Sequence, residues 1–105
     1  MAERYGIIAT FKAKEGKIDE LIEICKDHFV RQLDGREPNA TLATIIMPLP
    51  DDSNTVRLFE QWLTKDDYEL HSKPNENLQV CLDKVEPIVA EAPVIIEAPM
   101  MHYAR

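Results

Sequence analysis

The feature of this 105-residue chain that most restricts its fold is the order in which two hydrophobic periods succeed one another along it. Tyr5, Ile7, Ala9, Phe11 and Ala13 alternate with Gly6, Ile8, Thr10 and Lys12, the period-two signature of a strand. Lys14-Glu15-Gly16 breaks that run. Ile18, Leu21, Ile22, Cys25, Phe29 and Leu33 then recur at three- and four-residue spacing, which predicts an amphipathic helix of about 17 residues stopped by Gly35. Residues Ala40 to Met47 are rich in β-branched types and predict a second strand, ended by the turn formers of Pro48 to Asn54. A third strand is predicted over Thr55 to Leu63, with Val56, Leu58, Glu60 and Trp62 on one face and Arg57, Phe59 and Gln61 on the other. Thr64 reads as the N-cap of a short helix to about Ser72, with Asp66 and Asp67 suiting its first turn. Pro74 separates it from a helix predicted over Asn75 to Glu91, striped by Leu78, Cys81, Leu82, Val85 and Val89 and kinked at Pro87. A last apolar strand is predicted over Val94 to Ala98.

Strand, helix, strand, strand, helix, strand is the order of the α+β class with a ferredoxin-like β-α-β-β-α-β topology. It predicts one domain over residues 3–99, a four-stranded antiparallel sheet and both long helices on one face. The apolar tail, residues 100–105, is expected to lie on a surface, that of a partner copy included. Apolar residues fall on both sides of the strands, as Ile7 beside Ile8 and Ile45 beside Ile46 show. The helix-free face therefore needs a cover, and a domain this small gains from covering it by self-association. A homodimer built as a dimeric α+β barrel is the expected solution.

Charge narrows the partners. Twelve Lys and Arg against nineteen Asp and Glu give a net charge of −7 with no basic cluster, so a nucleic-acid backbone would be repelled. No stretch approaches the roughly 20 apolar residues that span a bilayer, and the start of the chain carries no leader-like pattern, so no membrane role and a cytoplasmic location are expected. Cys25 and Cys81 each lie on a helix stripe and are expected as reduced core thiols.

The segment Phe59-Glu60-Gln61-Trp62, followed by Asp67-Tyr68-Glu69-Leu70-His71-Ser72-Lys73-Pro74, resembles the antibiotic biosynthesis monooxygenase domain family. That pattern is a strand ending in Glu-x-Trp and then a short helix with a His nine residues after the Trp; Glu60, Trp62 and His71 match it position for position. The resemblance extends in element order from Tyr5 to about Ala98. It implies the dimeric α+β barrel with a pocket in each subunit, and a cofactor-independent oxidation of quinols or polycyclic aromatics that uses neither metal nor flavin. The haem-degrading branch of the superfamily has a Trp where His71 stands, a haem-ligating His where Cys81 stands and an Asn where Ala9 stands, so it does not fit. An isomerase branch acting on a phosphorylated sugar-like signal molecule carries a His in the first helix, as His28 does here. That branch tends to place another aromatic at the position of Trp62, and this chain has no obvious phosphate cradle.

The residues themselves mark out candidates. Glu60 sits among apolar neighbours and must be paired, hydrogen-bonded or protonated; in a site it is a proton acceptor or the support of one. His71, on a short helix able to act as a lid, is the candidate base, since imidazole exchanges protons near neutrality. Trp62 is a candidate aromatic wall. Tyr68 shares the helix face of His71 and is a candidate donor to a substrate oxygen. His28 lies at the margin of the first helix stripe. His71 and Glu60 are thus the catalytic candidates, and Trp62, Tyr68 and His28 the substrate-binding ones. The main alternatives are a non-catalytic small-ligand-binding dimer and the sugar-phosphate isomerase.

Overall fold

The two strands with the longest alternating runs occupy the middle of the sheet, where both faces can be covered. The computed structural model describes residues 3–34, 41–73 and 76–102. Its elements are β1 (Glu3–Lys12), α1 (Ile18–Asp34), β2 (Ala43–Leu49), β3 (Asp52–Trp62), α2 (Lys65–Ser72), α3 (Glu76–Val85), one 3-10 turn (Glu86–Ile88) and β4 (Val94–His102). The sheet order is β2-β3-β1-β4 and every pairing is antiparallel. This is the ferredoxin-like α+β fold that the order of periods predicts.

The link from β1 to α1 turns at Gly16, whose φ of 77° is one that a residue with a Cβ rarely adopts. The stripe of α1 then faces the sheet. Leu21 and Cys25 are buried against Ala9, Ala13, Val56 and Leu58, with Val85 and Ile88 closing the same cluster. Leu21 and Val56 are wholly enclosed, and burial of side chains of this size contributes about 1.5–3 kcal/mol each. A second, smaller cluster joins Tyr5, Ile7 and Trp62, with Tyr68 packed on it.

Three boundaries differ from the sequence expectations. The hairpin turn is shorter, because Leu49 pairs with Asp52 and the strands absorb most of the turn formers. The Asp52 carboxylate accepts from the Asn54 N–H and the Thr55 hydroxyl, so one acid satisfies the start of β3. The long second helix ends at Val85 instead of continuing to Glu91. Pro87 cannot donate to the preceding turn, so it sits at the start of the 3-10 turn rather than within a kinked helix. Val89, expected on the helix stripe, instead forms a bridge with Ala13. Third, β4 continues past Ala98: Glu3 pairs with His102 and Arg4 with Met101, so residues 99–102 join the sheet. The expectations for Gly35, Pro74 and Tyr103 lie outside the described residues.

On the helix-free face one apolar row crosses all four strands. Ile45 pairs with Phe59, Phe59 with Ile8, and Ile8 with Ile96. Ile45 is 62 % exposed and Ile96 54 %, and Met47 and Val94 extend the patch. Among the described residues no helix is long and apolar enough to cross a membrane.

Candidate active site

Strand register sets the floor of the site. Tyr5 lies opposite Trp62, Ile7 opposite Glu60 and Ala9 opposite Leu58, all on the helix-bearing face. Ala9, at the centre of the sheet, projects only a methyl group. Above it is a cavity of about 350 Å³ lined by members of both core clusters, a volume at the lower end of small-molecule sites. Leu58, Glu60 and Trp62 of β3 form the floor with Ala9, and Ile95 of β4 borders it. From α1 come Cys25, His28, Phe29 and Gln32; α3 adds Leu78, Cys81, Leu82 and Val85. Tyr68, His71 and Ser72 of α2 complete the wall.

α2 buries none of its residues fully. Thr64 caps it by accepting from the Asp67 N–H at 3.1 Å, the role its sequence predicts. Aromatic contacts hold it down: the His71 ring lies 5.4 Å from Trp62, tilted by 32°, and Tyr68 meets Trp62 edge-on at 5.8 Å. Tyr68 also packs at 5.6 Å on Tyr5, whose hydroxyl donates to the Glu97 carboxylate. That bond, with burial, pushes the Tyr5 hydroxyl up to about 12.

The electrostatics of the cavity disfavour charge. Burial pushes the Glu60 carboxyl up to about 7, while the indole N–H of Trp62, donating to Oε1 at 3.0 Å, acts in the opposite direction. Burial also raises the Tyr68 hydroxyl and the Cys81 thiol, and pushes Cys25 up to about 12. Both thiols are free. Among the described residues no three His, Cys, Asp or Glu side chains are grouped to hold a metal ion.

All five candidates, Glu60, Trp62, Tyr68, His71 and His28, line this one cavity, although they come from three elements. The sequence reading missed Gln32. Its side chain is 2 % exposed, its Nε2 lies 3.0 Å from Nε2 of His28, and its Oε1 is buried with no hydrogen-bond partner among the described residues. The signal was present as an amide four residues after His28, beside the stripe positions Phe29 and Leu33, where an apolar residue would be ordinary.

No protein-family model and no curated protein matches the chain. Solved structures do. A Nitrosomonas europaea protein provisionally named an antibiotic biosynthesis monooxygenase superposes with a TM-score of 0.81 at 20% identity, over 94% of this chain and 91% of that one. One from Caulobacter crescentus CB15, provisionally given the same name, reaches 0.80 at 19% identity, covering 96% and 92%. A conserved protein from Methanosarcina mazei Go1 reaches 0.79 at 12% identity, covering 91% of each chain. The chain shares its fold with proteins named antibiotic biosynthesis monooxygenases. Of the dimeric barrel implied by the Glu60, Trp62 and His71 resemblance, the ferredoxin-like α+β fold of the single chain is thus found; identities this low carry the architecture alone.

Proposed function

We propose that the protein is a cofactor-independent monooxygenase of the antibiotic biosynthesis monooxygenase family, oxidising a quinol-like or polycyclic aromatic molecule in the cavity beneath α2. The observation that carries this reading is Glu60: a carboxyl poised near neutrality on the floor of an apolar, aromatic-walled cavity large enough for a small molecule. A general base works best with a pKa close to the working pH. Glu60 takes the phenolic proton of the bound substrate, with His71 as the second proton-accepting group on the lid side. The resulting electron-rich anion reacts at a ring carbon with oxygen. One oxygen atom stays on that carbon; the substrate loses two hydrogens, the phenolic one taken by Glu60 and one from the attacked carbon, and these leave with the other oxygen atom as water, so the substrate supplies the electrons. Trp62 and Tyr68 hold the ring plane, and α2, anchored mainly through aromatic contacts, is the element that opens for entry.

The same reading includes a second copy of the chain on the Ile45, Phe59, Ile8 and Ile96 row, giving the dimeric barrel. A contiguous apolar face of this kind is what an interface covers. Oxygen uptake with a panel of naphthols, anthrones and quinols tests the activity. Incorporation of one atom of O2 into one of them by wild-type protein, lost in Glu60→Gln, is the expected result. Saturable binding with no product from any of them would replace the oxygenase by the non-catalytic ligand-binding dimer.

A further inference from the structure

We infer that Gln32, together with His28, forms a second polar station in the cavity that binds a hydroxyl group of the ligand, so that the molecule taken up carries hydroxyls at two separated ring positions. The inference rests on the proposed reading of the cavity as an aromatic site and names the chemistry of its occupant. Gln32 and His28 are one helical turn apart on α1 and therefore share a face. The Gln32 side chain lines the cavity and is 2 % exposed. Its Nε2 lies 3.0 Å from Nε2 of His28, while its Oε1 is sealed from solvent with no partner among the described residues.

Buried amides are satisfied as a rule, and an open one is destabilising. Packing gives no reason for it here. The neighbouring wall residues Cys25 and Phe29 are apolar, and Met or Leu would fill the same space. The amide has two orientations. With its nitrogen on His28, the oxygen needs a donor; turned over, it accepts from His28 and its nitrogen needs an acceptor. A hydroxyl is both donor and acceptor and satisfies either arrangement, whereas a ketone or an ammonium satisfies only one. The last torsion of a Gln side chain is soft, so the amide can turn from its sealed position toward a ligand without leaving its rotamer. Glu60 stands on β3 and Gln32 on α1, so the two polar stations belong to different elements. One hydroxyl meets the carboxyl and the other meets the amide.

Calorimetric titration under anaerobic conditions, with 1- and 2-naphthol against 1,4-, 1,5- and 2,6-dihydroxynaphthalene, tests this. At least one diol should bind the wild-type protein about tenfold more tightly than its mono-ol, the effect of one well-made hydrogen bond. Gln32→Met should keep the mono-ol affinity and lose the diol advantage, and without ligand it should melt no lower than wild type. A wild-type protein that binds mono-ols and diols equally overturns the inference while the aromatic-site reading stands, and that measurement requires no variant. A diol advantage that survives in both Gln32→Met and Gln32→Leu overturns it as well. If neither class binds, the aromatic-site reading falls and this inference falls with it.

Discussion

The indole N–H of Trp62 donates to the carboxyl of Glu60 at 3.0 Å, two residues back on the same face of β3. The bond holds the charged form of Glu60 within reach of neutral pH against a cavity that opposes it. Neighbours two apart on a strand meet this way only when both side chains lie over the sheet, and here the cavity leaves them room to do so.

Activity should therefore rise with pH through about 7, because Glu60 must lose its proton before it can accept one. Trp62→Phe removes the bond that favours the charged form, so the midpoint should move upward. The kcat/KM profile from pH 5 to 9 checks both directions. Glu60→Gln and His71→Ala should each lower turnover by roughly a hundredfold or more, the usual scale of general acid–base catalysis.

Stability should follow the opposite trend. The folded-state value of Glu60 lies above the ordinary 4.5, so between these values the native state holds more protons than the unfolded chain. Stability should fall as pH rises from about 4.5 to 7 and level off above. The loss is at most about 3 kcal/mol at 1.36 kcal/mol per unit. Urea denaturation across this range should show a shallower slope for Glu60→Gln than for wild type.

The thiols should be nearly inert in the folded protein. Burial holds Cys25 at about 12 and raises Cys81, so little thiolate forms at pH 8. Alkylation by iodoacetamide should be slow for both in buffer and fast in urea. Rapid labelling of Cys25 under native conditions would contradict the described packing of α1.

The bare sheet face gives a prediction about assembly. Sedimentation should find a species of twice 12.1 kDa. Ile45→Lys or Ile96→Glu should shift it toward the monomer, because either places an unpaired charge in the row with Phe59 and Ile8. A well-folded wild-type monomer at micromolar concentration would remove the barrel from the proposal.

The period of the apolar residues was enough to identify the elements. Tyr5 to Ala13, the Ile18 to Phe29 stripe and the Thr64 cap appear where the sequence places them, because hydrophobic spacing and capping are local properties. The ends of elements were less legible. Whether Val89 continued a helix or bridged to Ala13, and whether residues 99–102 left the sheet or paired with Glu3 and Arg4, depended on partners far away in the chain.

The site divides along the same line. From the sequence alone it followed that Glu60 and Trp62 share a strand face and Tyr68 and His71 a helix face, since a period of two and a period of 3.6 determine which side chains are neighbours within an element. Only the tertiary structure decided that these two faces and the His28 face of α1 enclose one cavity, and that Gln32, on its wall, carries an amide oxygen with no hydrogen-bond partner among the described residues. Distances between elements are determined by packing the sheet against the helices, and burial, which raises the Glu60 carboxyl, exists only once that packing has excluded water.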